Sequence, residues 1–474
     1  MKKKLESENR YEPFSNRRMI AYSFGSVILV AMWGIRGMVQ LYAEKALKLH
    51  IFTIFIVISI YTIWDAINDP FTGYLLDKSK RFTSKRGKRF PYIIIGVIGA
   101  VISLVLLYIP VSINPIIALI WLLVFLIIWD QFQTLFELSE NGLTVDIFRD
   151  KKQRVKYGAF SAILRAIGSI IRGAVIPVTL AIFGGESSPW AYLFMTVILC
   201  IFILILAIPY GYSIREPKEM IELRARLDGE GKSSSQFKEI MRRILADRNW
   251  MSLILAMSAF SVYIDCLTTG IYYYVIDGLG LGVGMVAIFN VLFLVVNFAT
   301  VPLWVKITKK IGAKKAFAYA LLIFVIGSPF FAIFGWLLLP ALLIGVLGGI
   351  GNAGQAVAFT VAISETIDNA AVKSGKREES SYLGVLRFFT ATAIFWRVLI
   401  FMLVAMVTGY DATIEYDYSA GIVPSPLARI GLNLQISIIP AIFLLIASLI
   451  YLKFNTITKE VAIENKKKLL EMDL

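Results

Sequence analysis

The stretch IREPKEMIELRARLDGEGKSSSQFKEIMRRILADR, Ile214 to Arg248, is the longest polar interruption in an otherwise apolar chain. Working outward from it, apolar runs long enough to cross a ~30 Å hydrocarbon core as helices recur on both sides. Six precede it, centred near Ile28, Ile58, Val101, Val124, Ile170 and Ile201; six follow, near Met257, Phe293, Leu322, Ile344, Ile394 and Phe443. Each run is about twice the 9–11 residues of a barrel strand and lacks strict apolar and polar alternation, so the spans read as helices. The fold class is therefore an all-α membrane protein, with twelve transmembrane helices in two six-helix bundles. The expected domains are an N-terminal bundle over 1–213, a cytoplasmic linker over 214–248, and a C-terminal bundle with a cytoplasmic tail over 249–474.

Composition agrees with lipid as the main solvent: of 474 residues 58% are hydrophobic and only 17% charged. Lysine and arginine cluster at the N-terminus, between Lys78 and Arg89, between Arg149 and Lys156, in the central linker, between Lys306 and Lys315, between Lys373 and Arg377, and in the tail. The alternate connections, such as VSINP and GGESSPW, carry almost none, and this positive-inside asymmetry places both termini in the cytoplasm of a cell-membrane protein. A net charge of +15 then needs no nucleic-acid partner, because anionic lipid headgroups attract the basic loops. Cys200 and Cys266 lie in apolar runs without ligand spacing, and His50 is the single histidine, which disfavours a disulfide framework, a zinc site or a histidine relay. The full-length first run, preceded by MKKK and lacking a small-residue cleavage site, reads as an anchor rather than a removable signal.

Ionisable side chains inside spans cost roughly 2.5–3.5 kcal/mol each on insertion scales, so they mark function or pairing. The second span contains YTIWDAINDP, Tyr61 to Pro70, in which Asp65, Asn68 and Asp69 share one helix face. Such an oxygen-rich patch suits sodium or a proton shared between carboxylates, with Asp65 and Asp69 as the metal ligands in the sodium case; the plain alternative is pairing with arginines of neighbouring spans. On the fourth span Asp130, Thr134, Glu137 and Asn141 follow helical spacing, with Glu137 a third carboxylate for the same site. Arg36, Asp130, Asn141, Arg165, Arg172, Asp265 and Arg387 are the candidate solute-binding groups, and Arg165 and Arg172 have charge balance as an equal alternative. The glycines of IGVLGGIGNAGQ read as close helix packing, and Tyr272, Tyr273 and Tyr274 as an interfacial aromatic belt.

The segment YTIWDAINDPFTGYLLDKSKRFTSKRGKRFPY resembles the second-span signature of the glycoside-pentoside-hexuronide cation symporters, the melibiose permease-like branch of the major facilitator superfamily. The matching residues are Asp65, Asn68, Asp69, Pro70, Gly73, Asp77, Arg86, Gly87, Arg89 and Pro91. VDIFRDKKQRVKYGAFSAI, Val145 to Ile163, and SETIDNAAVKSGKREESSYLGVL, Ser364 to Leu386, are similar to two further family segments, so the resemblance covers most of the chain. It implies uptake of a small-molecule solute by alternating access, coupled to sodium or a proton, by a protein that works as a monomer among membrane lipids and needs no cofactor. It also implies that the second-span carboxylates, with Thr134 and Glu137 of the fourth span, hold the cation. Gly73, Asp77, Arg86 and Arg89 would form a cytoplasmic gate against the ends of spans four and eleven, with topology alone as the plainer role of the basic loop.

The sugar carriers of that family bear a first-span aspartate and an eleventh-span lysine, where this chain aligns Val30 and Ala391. Arg36, Arg172 and Arg387 add positive charge instead. Guanidinium groups bind carboxylate or phosphate in a bidentate fashion, so the expected solute is a hexuronide, a modified sugar or an organic anion rather than a plain neutral sugar. A lysolipid carrier of the same fold and a receptor or scaffold without transport are the competing readings. An enzyme is not expected, since no nucleophile array, metal cluster or phosphate loop is visible.

Overall fold

The computed structural model describes residues 14–78, 89–111, 114–148, 151–215, 242, 244–375 and 379–472. Twelve of its helices are long and apolar enough to cross a membrane, in agreement with the runs read from the sequence. They are α1 (Asn16–Gly37), α2 (Ile51–Lys78), α3 (Phe90–Leu107), α4 (Pro115–Ile147), α5 (Lys151–Ile182) and α6 (Pro189–Ser213). Beyond the linker come α7 (Arg248–Tyr273), α8 (Val286–Ile311), α9 (Ala313–Phe334) and α10 (Leu338–Ser374). Next, α11 runs in two pieces (Glu379–Ala391 and Ala393–Thr408), as does α12 (Pro426–Leu434 and Ile438–Phe454), and a polar helix α13 (Lys459–Glu471) follows.

The helices begin where the local chemistry allows. Asn114 accepts a hydrogen bond from the Ile116 N–H at 2.9 Å, with Pro115 in the first turn of α4. Asp247 does the same for the Asn249 N–H at 3.0 Å at the head of α7. Both arrangements satisfy amide groups that the helix itself leaves open.

The chain forms two compact units, Met1–Leu49 with Ser59–Lys232, and His50–Ile58 with Ser233–Leu474. In the first, α3 packs along α4, and α1 along α5 and α6; in the second, α9 packs along α10, and α7 along α12. The α3 with α4 and α1 with α6 pairs thus reappear as α9 with α10 and α7 with α12, as a parallel repeat requires. Glycines permit the closest approaches. A Cβ on Gly349 of α10 would lie 2.6 Å from the Phe293 carbonyl oxygen of α8, so the reading of that glycine run as close packing holds.

A finer duplication shows where α1 and α7 end. α1, through the short helix Val39–Leu41, and α7, directly, lead into a single π-turn, Tyr42–Ala46 and Tyr274–Gly278, after which Lys48 (φ 56°) and Gly280 (φ 68°) take the left-handed conformation. The aligned sequences are YAEKALKLH and YVIDGLGLG. The tyrosine opening each turn bonds a carbonyl of its own unit: Tyr42 donates to Tyr108 O at 3.4 Å, and Tyr274 donates to Gly335 O. This corrects the belt reading of Tyr272, Tyr273 and Tyr274, which are 6%, 1% and 0% exposed. Tyr273 packs edge-on against Phe401 and Tyr274 against Phe331 inside the second unit, rather than being offered to the lipid interface.

Candidate cation site

Asn68 is the centre of the site. It is 1% exposed on α2, and its Nδ2 donates to Asp130 Oδ2 at 2.9 Å and to Thr134 Oγ1 at 3.3 Å, both on α4. Its Oδ1 accepts from Thr72 Oγ1 at 2.9 Å. This is the amide orientation that places its donor against a carboxylate and its acceptor against a hydroxyl. Tyr61 donates to Asp130 Oδ1 at 3.2 Å, Thr134 to Asp69 Oδ1 at 2.9 Å, and Gln131 to Thr72 at 2.9 Å. The Asp65 carboxyl faces that of Asp130 across the two helices.

Residues 61, 65, 68, 69 and 72 follow the i, i+4, i+7, i+8, i+11 order of one helix face, and 130 and 134 form a matching pair on α4. The result is three carboxyls of two helices, tied through one amide and one hydroxyl inside a low-dielectric interior. Arg36 of α1 borders them, its guanidinium 5.0 Å from the Tyr61 ring centroid and 5.8 Å from that of Trp129, in cation–π range.

The structure therefore brings Asp65, Asn68, Asp69 and Thr134 together, and places Asp130, which the sequence reading grouped with solute binding, in the same network. Glu137 lies further along α4 and accepts from Gln133 Nε2 at 3.1 Å. Asn141 and Arg165 are exposed. The Arg172 stem lies against Gly34 of α1, where a Cβ would overlap it. Arg387 is half-buried on α11. Of the gate residues, Arg89 donates to the Leu138 carbonyl of α4 at 3.4 Å and fills the space left by Gly142, while Gly73 adjoins Leu138. The Asp77 side chain and Arg86 lie outside the described residues.

In the second unit, Asp265 of α7 makes a 2.9 Å ion pair with Arg397 of α11, their side chains 32% and 3% exposed. Asp265→Ala leaves that guanidinium buried without its counter-charge. Breaking a buried pair costs about 3–5 kcal/mol, and the partial exposure of Asp265 lowers the expected loss to about 2–3 kcal/mol. Thermal unfolding should show most of it restored in Asp265→Asn with Arg397→Gln; strictly additive losses would mean the pair is not coupled.

Several groups of the network are invisible to a search for charge alone. Tyr61, Thr72, Gln131 and Gln133 carry none, and their signal is only helical register with the acids. Glu140 also goes unmarked, because the stripe counted through 134, 137 and 141 passes over the register 133, 137, 140 and 144. Among the described residues, no group of three or more His, Cys, Asp and Glu side chains is disposed to hold a metal ion. A sodium ion at this site would draw on amide and hydroxyl oxygens beside the carboxylates.

The family model for the MFS/sugar transport protein matches residues 21–458. The chain belongs to this family. Among curated relatives, it is 24% identical to the raffinose carrier protein of Pediococcus pentosaceus over 344 residues, 70% of this chain and 51% of that one. It is 23% identical to the lactose permease of Leuconostoc lactis over 364 residues, 74% and 54% of the two chains. A shorter likeness, 27% over 136 residues, links 29% of it to 25% of the sodium-dependent lysophosphatidylcholine symporter 1 of Gallus gallus. The chain thus spans about half the length, 51% and 54%, of these two carriers.

Two solved structures share the fold of this MFS protein. One is a bacterial homolog of the human lysosomal transporter Spinster, with a TM-score of 0.65 and 15% identity, covering 95% of this chain and 99% of that one. The other is the D-xylose-proton symporter, with a TM-score of 0.60 and 16% identity, covering 93% and 98%. The protein is a multi-pass membrane protein of this family.

Proposed function

We propose that this transporter is a cation-coupled symporter, moving a small organic solute by alternating access with sodium or a proton as the coupling ion. The observation that carries this reading is the Asn68 bridge, which ties Asp69, Asp130 and Thr134 into one network within one unit. Carboxyls so close repel one another when ionised, and a bound cation relieves that repulsion. If binding the cation favours the conformation that closes on solute, solute must tighten the cation by the same factor. Solute side, the reading favours a hexuronide, a modified sugar or an organic anion. By the resemblance, Val30 and Ala391 stand where the family's sugar carriers bear an aspartate and a lysine, and Arg36, Arg172 and Arg387 supply guanidinium groups.

A lysolipid-like solute is the second reading, supported by the shorter likeness to the lysophosphatidylcholine symporters. The basic loops support insertion in the cell membrane with both termini cytoplasmic, and a monomer is sufficient for the proposed cycle. The test is uptake into vesicles reconstituted with the purified protein, offering neutral sugars, hexuronates, organic acids and lysophosphatidylcholine under imposed sodium or pH gradients. Accumulation of one class that follows one gradient is expected. Uptake of every class indifferent to both gradients overturns the coupling, and preference for neutral sugars overturns the solute reading.

A further inference from the structure

Glu140 of α4 stands apart from the second-span network. Ten residues past Asp130, it lies about 15 Å further along the helix by rise alone. It is 3% exposed, in a chamber walled by Tyr22 of α1 and Tyr210 of α6, each 0% exposed. The chamber exists because residue 25 is glycine: a Cβ there would overlap Glu140 Oε1 and lie 2.7 Å from Tyr210 Cε2. Tyr22 is turned away, bonded to Thr144 at 3.0 Å and packed edge-on against Tyr157 of α5. The Tyr210 hydroxyl faces the carboxyl, yet neither it nor Glu140 Oε2 completes a hydrogen bond among the described residues. The charged groups acting on the chamber are Arg165 of α5, Glu137 of α4 and, through Tyr22, Arg89. Attraction from Arg165 is opposed by repulsion from Glu137.

An ionised carboxylate in this setting would be a buried charge that the facing Tyr210 phenol and Arg165 offset less than burial penalises it, which costs more than a neutral acid. We propose that Glu140 is a proton-binding site of the first unit, distinct from the Asp65 and Asp69 network, and that it holds its proton in the conformation seen here. The step is a simple protonation: the carboxylate takes one proton on Oε2, and the resulting O–H donates to the Tyr210 oxygen. Nothing else is consumed or released. Because the site is independent of the second-span carboxyls, it gives transport a pH dependence whichever cation those carboxyls take. The proton leaves when the chamber opens to water, so the conformational equilibrium of the first unit shifts with pH by linkage.

The experiment is an infrared titration of the purified protein in lipid vesicles between about pH 5 and about pH 9, following the C=O stretch of protonated carboxyl groups. Wild type should show at neutral pH a protonated-carboxyl band that Glu140→Gln removes and Tyr210→Phe shifts, since the phenol is its acceptor. Asp69→Asn should leave that band in place, which separates this site from the proposed coupling site. A neutral-pH spectrum unchanged by Glu140→Gln overturns the proposal, as does a band that Asp69→Asn removes and Glu140→Gln does not. Should Glu140→Gln fail to fold by thermal unfolding, Tyr210→Phe decides: a shifted band supports the site and an unshifted one overturns it.

Discussion

Asp69→Asn is expected to abolish gradient-driven accumulation while leaving the protein folded and solute able to equilibrate across the membrane. The substitution keeps the size of the side chain and removes its charge. Thr134 loses a carboxylate acceptor at 2.9 Å but retains an amide oxygen there, so the helix contact survives. On the proposed coupling, what is lost is the electrostatic reason for the site to take up a cation, and with it the link between cation gradient and conformation. Coupling free energies of 1–3 kcal/mol correspond to about 5- to 150-fold changes in affinity, and the ratio of internal to external solute under a sodium or pH gradient should collapse accordingly. Accumulation equal to wild type would remove Asp69 from the coupling site. The same measurement on Asn68→Ala should give a partial loss, because the amide aligns Asp130 and Thr134 without carrying charge itself.

Gly96→Ala should cause the larger structural damage. A Cβ at Gly96 of α3 would lie 2.7 Å from the Phe136 N, 2.8 Å from Phe136 Cβ and 2.9 Å from the Phe132 carbonyl oxygen, all on α4. Two of these are backbone atoms, which cannot swing aside as a side-chain tip does, so the helices must separate. Overpacking of this kind costs about 1–3 kcal/mol, and a matching fall in the thermal unfolding midpoint is expected. Because α4 also carries Asp130 and Thr134, transport should fall with stability. Gly158→Ala is the control: a Cβ at Gly158 of α5 meets nothing within 4 Å, and alanine is the better helix former by about 1 kcal/mol. Equal stability of the two variants would show that α3 and α4 are not held at the separation described.

How much was legible in advance depends on the range of the physics involved. The second-span acids stood out because an ionisable group in an apolar run is costly wherever it packs, and their shared face follows from helical period alone. Asp130 could be seen but not placed: register on α4 says which way it points relative to Thr134, and only the packing of α2 against α4 sets Asn68 between them. Neutral partners such as Tyr61 and Thr72 leave no signature of cost in the sequence. The tyrosines at 272–274 misled for a related reason. Aromatic residues near a span end are common both at the lipid interface and inside a bundle, and the choice is made by Phe331 and Gly335, more than fifty residues away in sequence.

The sequence by itself determined the membrane, the twelve helices and their division about the polar linker, since desolvation of apolar and charged groups is a local property of each segment. It also determined that α2 carries acids on one face. Tertiary structure alone decided that Asn68 joins Asp69, Asp130 and Thr134, that Asp265 answers Arg397, and that Gly25 opens a chamber for Glu140. Those outcomes depend on distances between helices, which are fixed by how closely facing backbones can approach and which no single helix encodes.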